Sequence, residues 1–143
     1  INSLIIKKAA IKWPFCVENI INSCVYGGFN MDFKRTQGLK KDSDFRKVYK
    51  HGKSFANRNL VMYILDNKSD STRVGISVSK KVGNAINRNK IRRRIKESYR
   101  LNIDANVKYG YDIVFIARVA IKEADYKDIE KSMNHLIRKA GLI

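Results

Sequence analysis

The sequence predicts one sheet with helices packed against it, an α+β or α/β sandwich. Three observations carry that reading. Val74, Ile76 and Val78 alternate with Gly75, Ser77 and Ser79, the two-residue period of a half-buried strand. Ile91, Ile95, Tyr99 and Ile103 recur every four residues and make one apolar stripe along a helix. The elements run helix, strands, helix, strand, helix, with no internal repeat and no low-complexity tract.

Taken in order, residues 33–41 are polar and basic and read as extended. Ser43 is placed to cap a short helix that reaches about Lys50, with Gly52 as its stop. Phe45, Val48 and Tyr49 then share a face at i, i+3 and i+4. Residues 60–65 form an apolar run fit for a strand, and residues 67–71 a polar turn. The alternating strand follows. Gly83 is expected to permit an unusual turn before the helix that begins near Asn84. Residues 113–117 read as a short buried strand. Residues 125–140 read as a second long helix with Ile129, Met133, Leu136, Ile137 and Ala140 inward, stopped by Gly141.

Composition narrows the function. The 143 residues carry thirty Lys and Arg against thirteen Asp and Glu, a net charge of +17. Such an excess costs self-repulsion in the folded state and implies a polyanionic partner. Nucleic acid leads, and an anionic membrane surface is the second choice. No run reaches the ~18 consecutive apolar residues of a membrane span. Cys16 and Cys24 form no CxxC pair, and with His51 and His135 they make no zinc motif.

The charge is uneven. Residues 1–30 hold Trp13, Pro14 and both cysteines with a charge of only +2, and residues 31–143 hold the remaining +15. Met31 opens the basic part. Residues 31–143 are therefore expected to be the working domain, and residues 1–30 an N-terminal extension, non-native or disordered. A signal peptide is a poor reading, because Lys12 and Glu18 break the apolar run and no small-residue cleavage site follows.

The cations concentrate in residues 80–100: Lys80, Lys81, Arg88, Lys90, Arg92, Arg93, Arg94, Lys96 and Arg100, opposed only by Glu97. Arg88, Arg92, Lys96 and Arg100 form a row of like charges at i,i+4 spacing, which costs stability unless an anion lies along it. Arginine dominates, and its planar fork pairs bidentately with phosphate. A membrane-surface helix fits less well, since the apolar stripe is narrow and holds no Trp or Phe. The turn 77–84 offers free N–H groups at a helix start, but GxxxxGK[ST] is absent, which removes a Walker-type nucleotide site.

These residues resemble a known family. Lys80-Lys81-Val82-Gly83-Asn84-Ala85 followed by Asn87-Arg88-Asn89-Lys90-Ile91-Arg92-Arg93 is similar to the signature of the bacterial ribonuclease P protein subunit. Upstream, Leu39-Lys40-Lys41, Asp44-Phe45, Val48-Tyr49, Gly52, Ala56-Asn57-Arg58, Arg73-Val74-Gly75 and Val78-Ser79 extend the likeness. Downstream, Asp112, Ala117-Arg118 and the last helix complete it over residues 33–140. The family's Arg-Asn-Arg core reads Arg88-Asn89-Lys90, and the Lys keeps the charge but loses the fork.

The resemblance implies an α+β fold: a single mixed sheet of about four strands, like that of a small-subunit ribosomal protein. It also implies a left-handed βαβ crossover through the Arg-rich helix, against the usual right-handed rule. It implies a protein subunit of ribonuclease P whose partners are a catalytic RNA and the 5′ leader of precursor tRNA; cysteine usage and the lack of a long apolar run make the cytoplasm the expected setting. The RNA, with Mg2+, removes the leader; the protein holds no catalytic residue, no metal and no cofactor, and no membrane or protein partner is expected. The surface for the catalytic RNA carries over to Lys80, Lys81, Asn84, Arg88, Asn89, Lys90, Arg92, Arg93 and Lys96. The leader cleft carries over to Phe45, Tyr49 and Tyr63, with Lys41 at its flank. From spacing alone, Phe45 and Tyr49 read as core packing.

A nuclease acting alone would want a carboxylate cluster for metals or a His pair for proton transfer. The carboxylates are scattered and the two histidines lie far apart in sequence. A ribosomal-type structural RNA binder is the other alternative.

Overall fold

The computed structural model describes residues 33–143. Its five strands are β1 (Thr36–Gly38), β2 (Lys53–Ala56), β3 (Leu60–Asp66), β4 (Thr72–Ser77) and β5 (Tyr111–Ala117), and its helices are α1 (Asp42–His51), α2 (Ala85–Asn102) and α3 (Tyr126–Lys139). Short 3-10 turns at Lys80–Val82 and Val119–Glu123 precede α2 and α3. One mixed sheet has the order β1-β4-β5-β3-β2. β1, β4 and β5 run parallel, and β3 and β2 are antiparallel to their neighbours. The parallel neighbours β4 and β5 are joined through α2, the βαβ connection that the resemblance implies.

The strand period divides the sheet between two cores. On one face stand Leu60, Met62, Ile64, Val74, Ile76, Ile113 and Phe115, covered by Ile91, Ile95 and Tyr99 of α2 and by Ile129, Met133, Leu136 and Ile137 of α3. On the other stand Val61, Tyr63, Val114 and Ile116, covered by Phe45 and Val48 of α1 with Leu39. Burying each such side chain stabilises the fold by about 1.5–3 kcal/mol.

The expected elements are present, with three differences. Five strands form where about four were expected: Lys53–Ala56 is too short to show a period, and its pairing with β3 makes it a strand. Ser43 does not cap α1. The helix starts earlier, at Lys41, whose carbonyl accepts from the N–H groups of Asp44 and Phe45, and no side chain caps it. Gly83 adopts no left-handed turn; its backbone is extended (φ 160°, ψ −170°). Its missing side chain matters for packing, since a Cβ there would stand 3.2 Å from that of Asn87. Asp125 caps α3 through a capping box with Asp128, and Gly141 ends the helix at φ +73° as the sequence suggested. The division at residue 30 lies outside the described residues.

Gly75 sets how closely α1 sits on the sheet. A Cβ there would lie 2.5 Å from Cζ of Phe45 and 3.3 Å from Cβ of Leu39. The Phe45 ring, 2% exposed, thus rests on bare backbone. Gly75→Ala should destabilise the domain by about 1–3 kcal/mol through overpacking. The measurement is a urea titration; a lower midpoint at unchanged slope is expected, and an unchanged midpoint would show that the ring does not rest there.

Candidate nucleic-acid interface

The first surface is built on α2. Asn84 caps the helix, its side-chain oxygen accepting from the N–H of Asn87 at 2.9 Å. Ile91, Ile95, Ser98 and Tyr99 are buried toward the sheet. The 3.6-residue period then forces the cations elsewhere. Lys80 and Lys81 in the preceding turn, and Asn89, Lys90 and Arg93 on the helix, are exposed. Arg88, Arg92 and Lys96 lie half-buried along one flank, and Asn84 is exposed at the start. All nine residues assigned to the catalytic RNA therefore belong to one turn-and-helix unit.

Their hydrogen bonds sort these side chains. Asn89 accepts from Nη1 of Arg92 at 2.9 Å, so the Asn of the signature holds an Arg of the same face. Arg100, the last of the i,i+4 row, pairs with Glu97, and this hydrogen bond holds the Glu97 carboxyl below its ordinary range. Arg94 leans the other way and donates to the carbonyl of Ala124 at 3.4 Å. The structure adds one cation that the sequence did not suggest: the chain of Lys122 lies by the Gly83 turn, its Cε 3.8 Å from where a Cβ would stand. Some forty residues separate it from the signature, so no local pattern could have placed it there.

The second surface is on the other side of the sheet. Lys41, Phe45 and Tyr49 recur every four residues along α1, and Tyr49 meets Tyr63 of β3 edge-on at 5.3 Å between ring centres. Phe45 lies 6.4 Å from Tyr49. The four assigned residues thus come together, but unequally. Lys41 is exposed and Tyr49 half-buried, while Tyr63 is 7% exposed and burial pushes its hydroxyl above the ordinary tyrosine range. Phe45, spent on Gly75, offers no open ring face and instead supports Tyr49 from below.

Two buried carboxylates, Asp112 and Asp104, join these elements, through contacts that the sequence did not predict. Asp112 on β5 accepts from Nε and Nη2 of Arg73 at 2.9 and 2.6 Å, and Nη1 of Arg73 reaches Asp44 on α1 at 3.1 Å. Asn67 also donates to Asp112 at 2.9 Å. Beyond the end of α2, Asp104 accepts from the N–H groups of Lys34 (2.8 Å) and Thr36 (3.1 Å) and from the Thr36 hydroxyl (2.8 Å). It ties the entry of β1 to the Arg-rich helix.

Among the described residues no three His, Cys, Asp or Glu gather. Asp44 and Asp112 converge, but the Arg73 guanidinium fills the space between them, so the pair does not fit a magnesium ion. His51 and His135 are both exposed, on α1 and α3. Among the described residues no helix is long and apolar enough to cross a membrane.

Comparison with known proteins gives a consistent result. The family model described as Ribonuclease P matches residues 33–141. The ribonuclease P protein component of Clostridioides difficile is 70% identical over 112 residues, covering 78% of this chain and 98% of the relative. That of Clostridium botulinum is 54% identical over 104 residues, covering 73% and 94%. Among solved structures, the RNase P protein of Staphylococcus aureus aligns at TM-score 0.69 with 40% identity over 76% of this chain and 98% of that one. The RNase P protein of Thermotoga maritima aligns at 0.64 with 33% identity over 71% and 96%.

Asn84 has two separable duties, capping α2 and facing outward beside the cations. Asn84→Ala should cost about 1 kcal/mol of stability. Asn84→Asp should keep the cap, since a carboxylate accepts the same N–H, yet weaken RNA binding by adding negative charge. Thermal unfolding and an RNA-binding titration check the pair. Equal RNA affinity for the Asp variant and the parent would remove Asn84 from the interface.

Proposed function

The chain belongs to the ribonuclease P protein family, and from that premise we propose that it binds the catalytic RNA of ribonuclease P through α2 and the 5′ leader of precursor tRNA through the α1–β3 cleft. The coarse part follows from the family: this is the protein component of a tRNA-processing ribonucleoprotein, with an RNA partner. The finer assignment rests on one observation above all. Nine cations and a single carboxylate occupy residues 80–100, and the buried stripe of α2 leaves most of them outward.

The chemistry of the two surfaces differs and suits the two roles. On α2, guanidinium and ammonium groups meet phosphate whatever the base sequence. At the cleft, Tyr49 and Tyr63 supply aromatic surface, which stacks bases of any identity, and Lys41 follows the backbone. A holder of leaders must accept many sequences, and stacking does so. In this reading the bond cleavage and its Mg2+ ions belong to the RNA, the protein binds no cofactor by itself, and the setting is the cytoplasm.

The decisive experiment mixes the purified protein with a bacterial ribonuclease P RNA and a precursor tRNA at low Mg2+. Leader release that requires both components is expected; no stimulation over RNA alone would overturn the proposal, and cleavage by protein alone would point to an independent nuclease. In the same system the log–log salt dependence of RNA binding should have a slope of roughly −4 to −5 if about six phosphates are neutralised. Reversing one contact by Arg93→Glu should make that slope shallower by about 0.7–0.9. An unchanged slope would take Arg93 off the interface.

A further inference from the structure

The leader cleft has one wall formed by a single helix, α1, and the structure shows how that wall is fixed at three points. In the middle, Phe45 sinks onto Gly75. At the C-terminal end, Gly52 lets the helix press on β3: a Cβ there would stand 2.7 Å from the Ile64 carbonyl oxygen. The first turn is held differently, by Asp44 bonded to Nη1 of Arg73. Arg73 and Asp112 are register partners across the parallel β4–β5 ladder, and Asp112, 2% exposed, takes Nε and Nη2, one edge of the guanidinium. That fork fixes the plane of the guanidinium and points its remaining nitrogen at α1.

The arrangement carries an electrostatic cost that asks for a reason. Arg73 with Asp44 and Asp112 sums to a charge of −1, beside a cleft that is to hold a polyanion, in a chain of +17. Two carboxylates at that place oppose leader binding by Coulomb repulsion. They also hold Arg73 in a bidentate pair, so its guanidinium is committed to protein. A group that opposes the ligand and occupies a cation has its use in geometry.

Resting on the cleft reading above, we infer that the Asp44–Arg73–Asp112 bridge is a positioning device. It sets the angle of α1 on the sheet, and so the spacing of Tyr49 and Lys41 from Tyr63, and through that the preference for leader-bearing precursor over mature tRNA. Asp44 and Arg73 touch no RNA in this role; they act through α1. A displacement of about 1 Å at a stacking or phosphate contact costs affinity for the group contacted and leaves distant contacts alone.

The test uses the reconstituted holoenzyme and measures two quantities for each variant: the ratio of precursor to mature tRNA affinity, and the affinity of the protein for the catalytic RNA. Asp44→Ala should lower the ratio about fivefold, the size of losing one half-buried charged hydrogen bond, with catalytic-RNA affinity unchanged within twofold. Asp44→Asn keeps an acceptor for Nη1 and should retain most of the ratio. Arg73→Lys cannot span both carboxylates and should behave like Asp44→Ala. Tyr49→Ala serves as the reference for the cleft itself. If Tyr49→Ala lowers the ratio and Asp44→Ala does not, the positioning role is overturned while the cleft reading stands. If neither variant changes the ratio, the cleft reading falls and the inference falls with it. If Asp44→Ala and Asp44→Asn raise both tRNA affinities alike, the carboxylate acts only as a charge, and the inference is again overturned.

Discussion

The structure depends first on the strict alternation of side chains along β3, β4 and β5. In register, Gly75, Val114 and Tyr63 line up across one face, and Ile76, Phe115 and Met62 across the other. A slip of one residue in any of these strands would exchange the two sets. Tyr63 would then leave the cleft for the core beneath α2, and Gly75 would no longer accommodate Phe45. The two candidate surfaces are therefore consequences of a single register. The Arg-rich helix sits over one face and the aromatic helix over the other, separated by the sheet itself.

The second constraint is charge. A domain with this excess of cations must find a way to stay folded before any polyanion arrives. It does so by keeping most cations at the surface, where water and salt screen them, and by burying carboxylates at a few joints. Asp104 and Asp112, each 2% exposed, are such joints. Each is saturated with donors: backbone N–H groups and a hydroxyl at Asp104, a guanidinium fork and an amide at Asp112. A buried carboxylate without such partners would cost several kcal/mol. Both join parts of the chain distant in sequence, β1 to the end of α2 and α1 to the sheet.

Much of this was legible in the sequence, for reasons that can be named. The strand β4 and the helices α2 and α3 announce themselves by period, and β3 and β5 by short apolar runs that are buried on both faces of the sheet. The start of α2 near Asn84 and the stop at Gly141 are local chemistry and were readable as such, although the cap that Asn84 supplies was not singled out. The nine residues assigned to an RNA surface lie within one stretch of chain, so their meeting needed no tertiary knowledge. What escaped was non-local or too short. β2 has four residues and exists because β3 pairs with it. Lys122 joins the basic turn only through the fold. The fork of Arg73 spans 39 positions to Asp112 and 29 to Asp44, a distance at which neither spacing nor charge pattern carries a signal. Phe45 shows the ambiguity most clearly. Its spacing said core and its resemblance said cleft, and the structure packs it like a core residue on Gly75, beside Tyr49.

The same geometry bears on how such a chain would work as the protein component of a tRNA-processing ribonucleoprotein. The carboxylates of Asp44 and Asp112, which approach one another, are spanned by an arginine and serve to join α1 to the sheet. The fold offers two faces of different chemistry held at a fixed separation by a sheet. The cations on one face suit phosphate whatever the sequence, and the aromatic edges on the other suit bases of any identity. A rigid piece with those two faces can hold two stretches of RNA in a set relation and reduce the entropy of bringing them together. The rigidity comes from the sheet and its two cores. The setting of the second face comes from how α1 is seated, which is why a carboxylate in a basic protein can be as consequential there as any arginine.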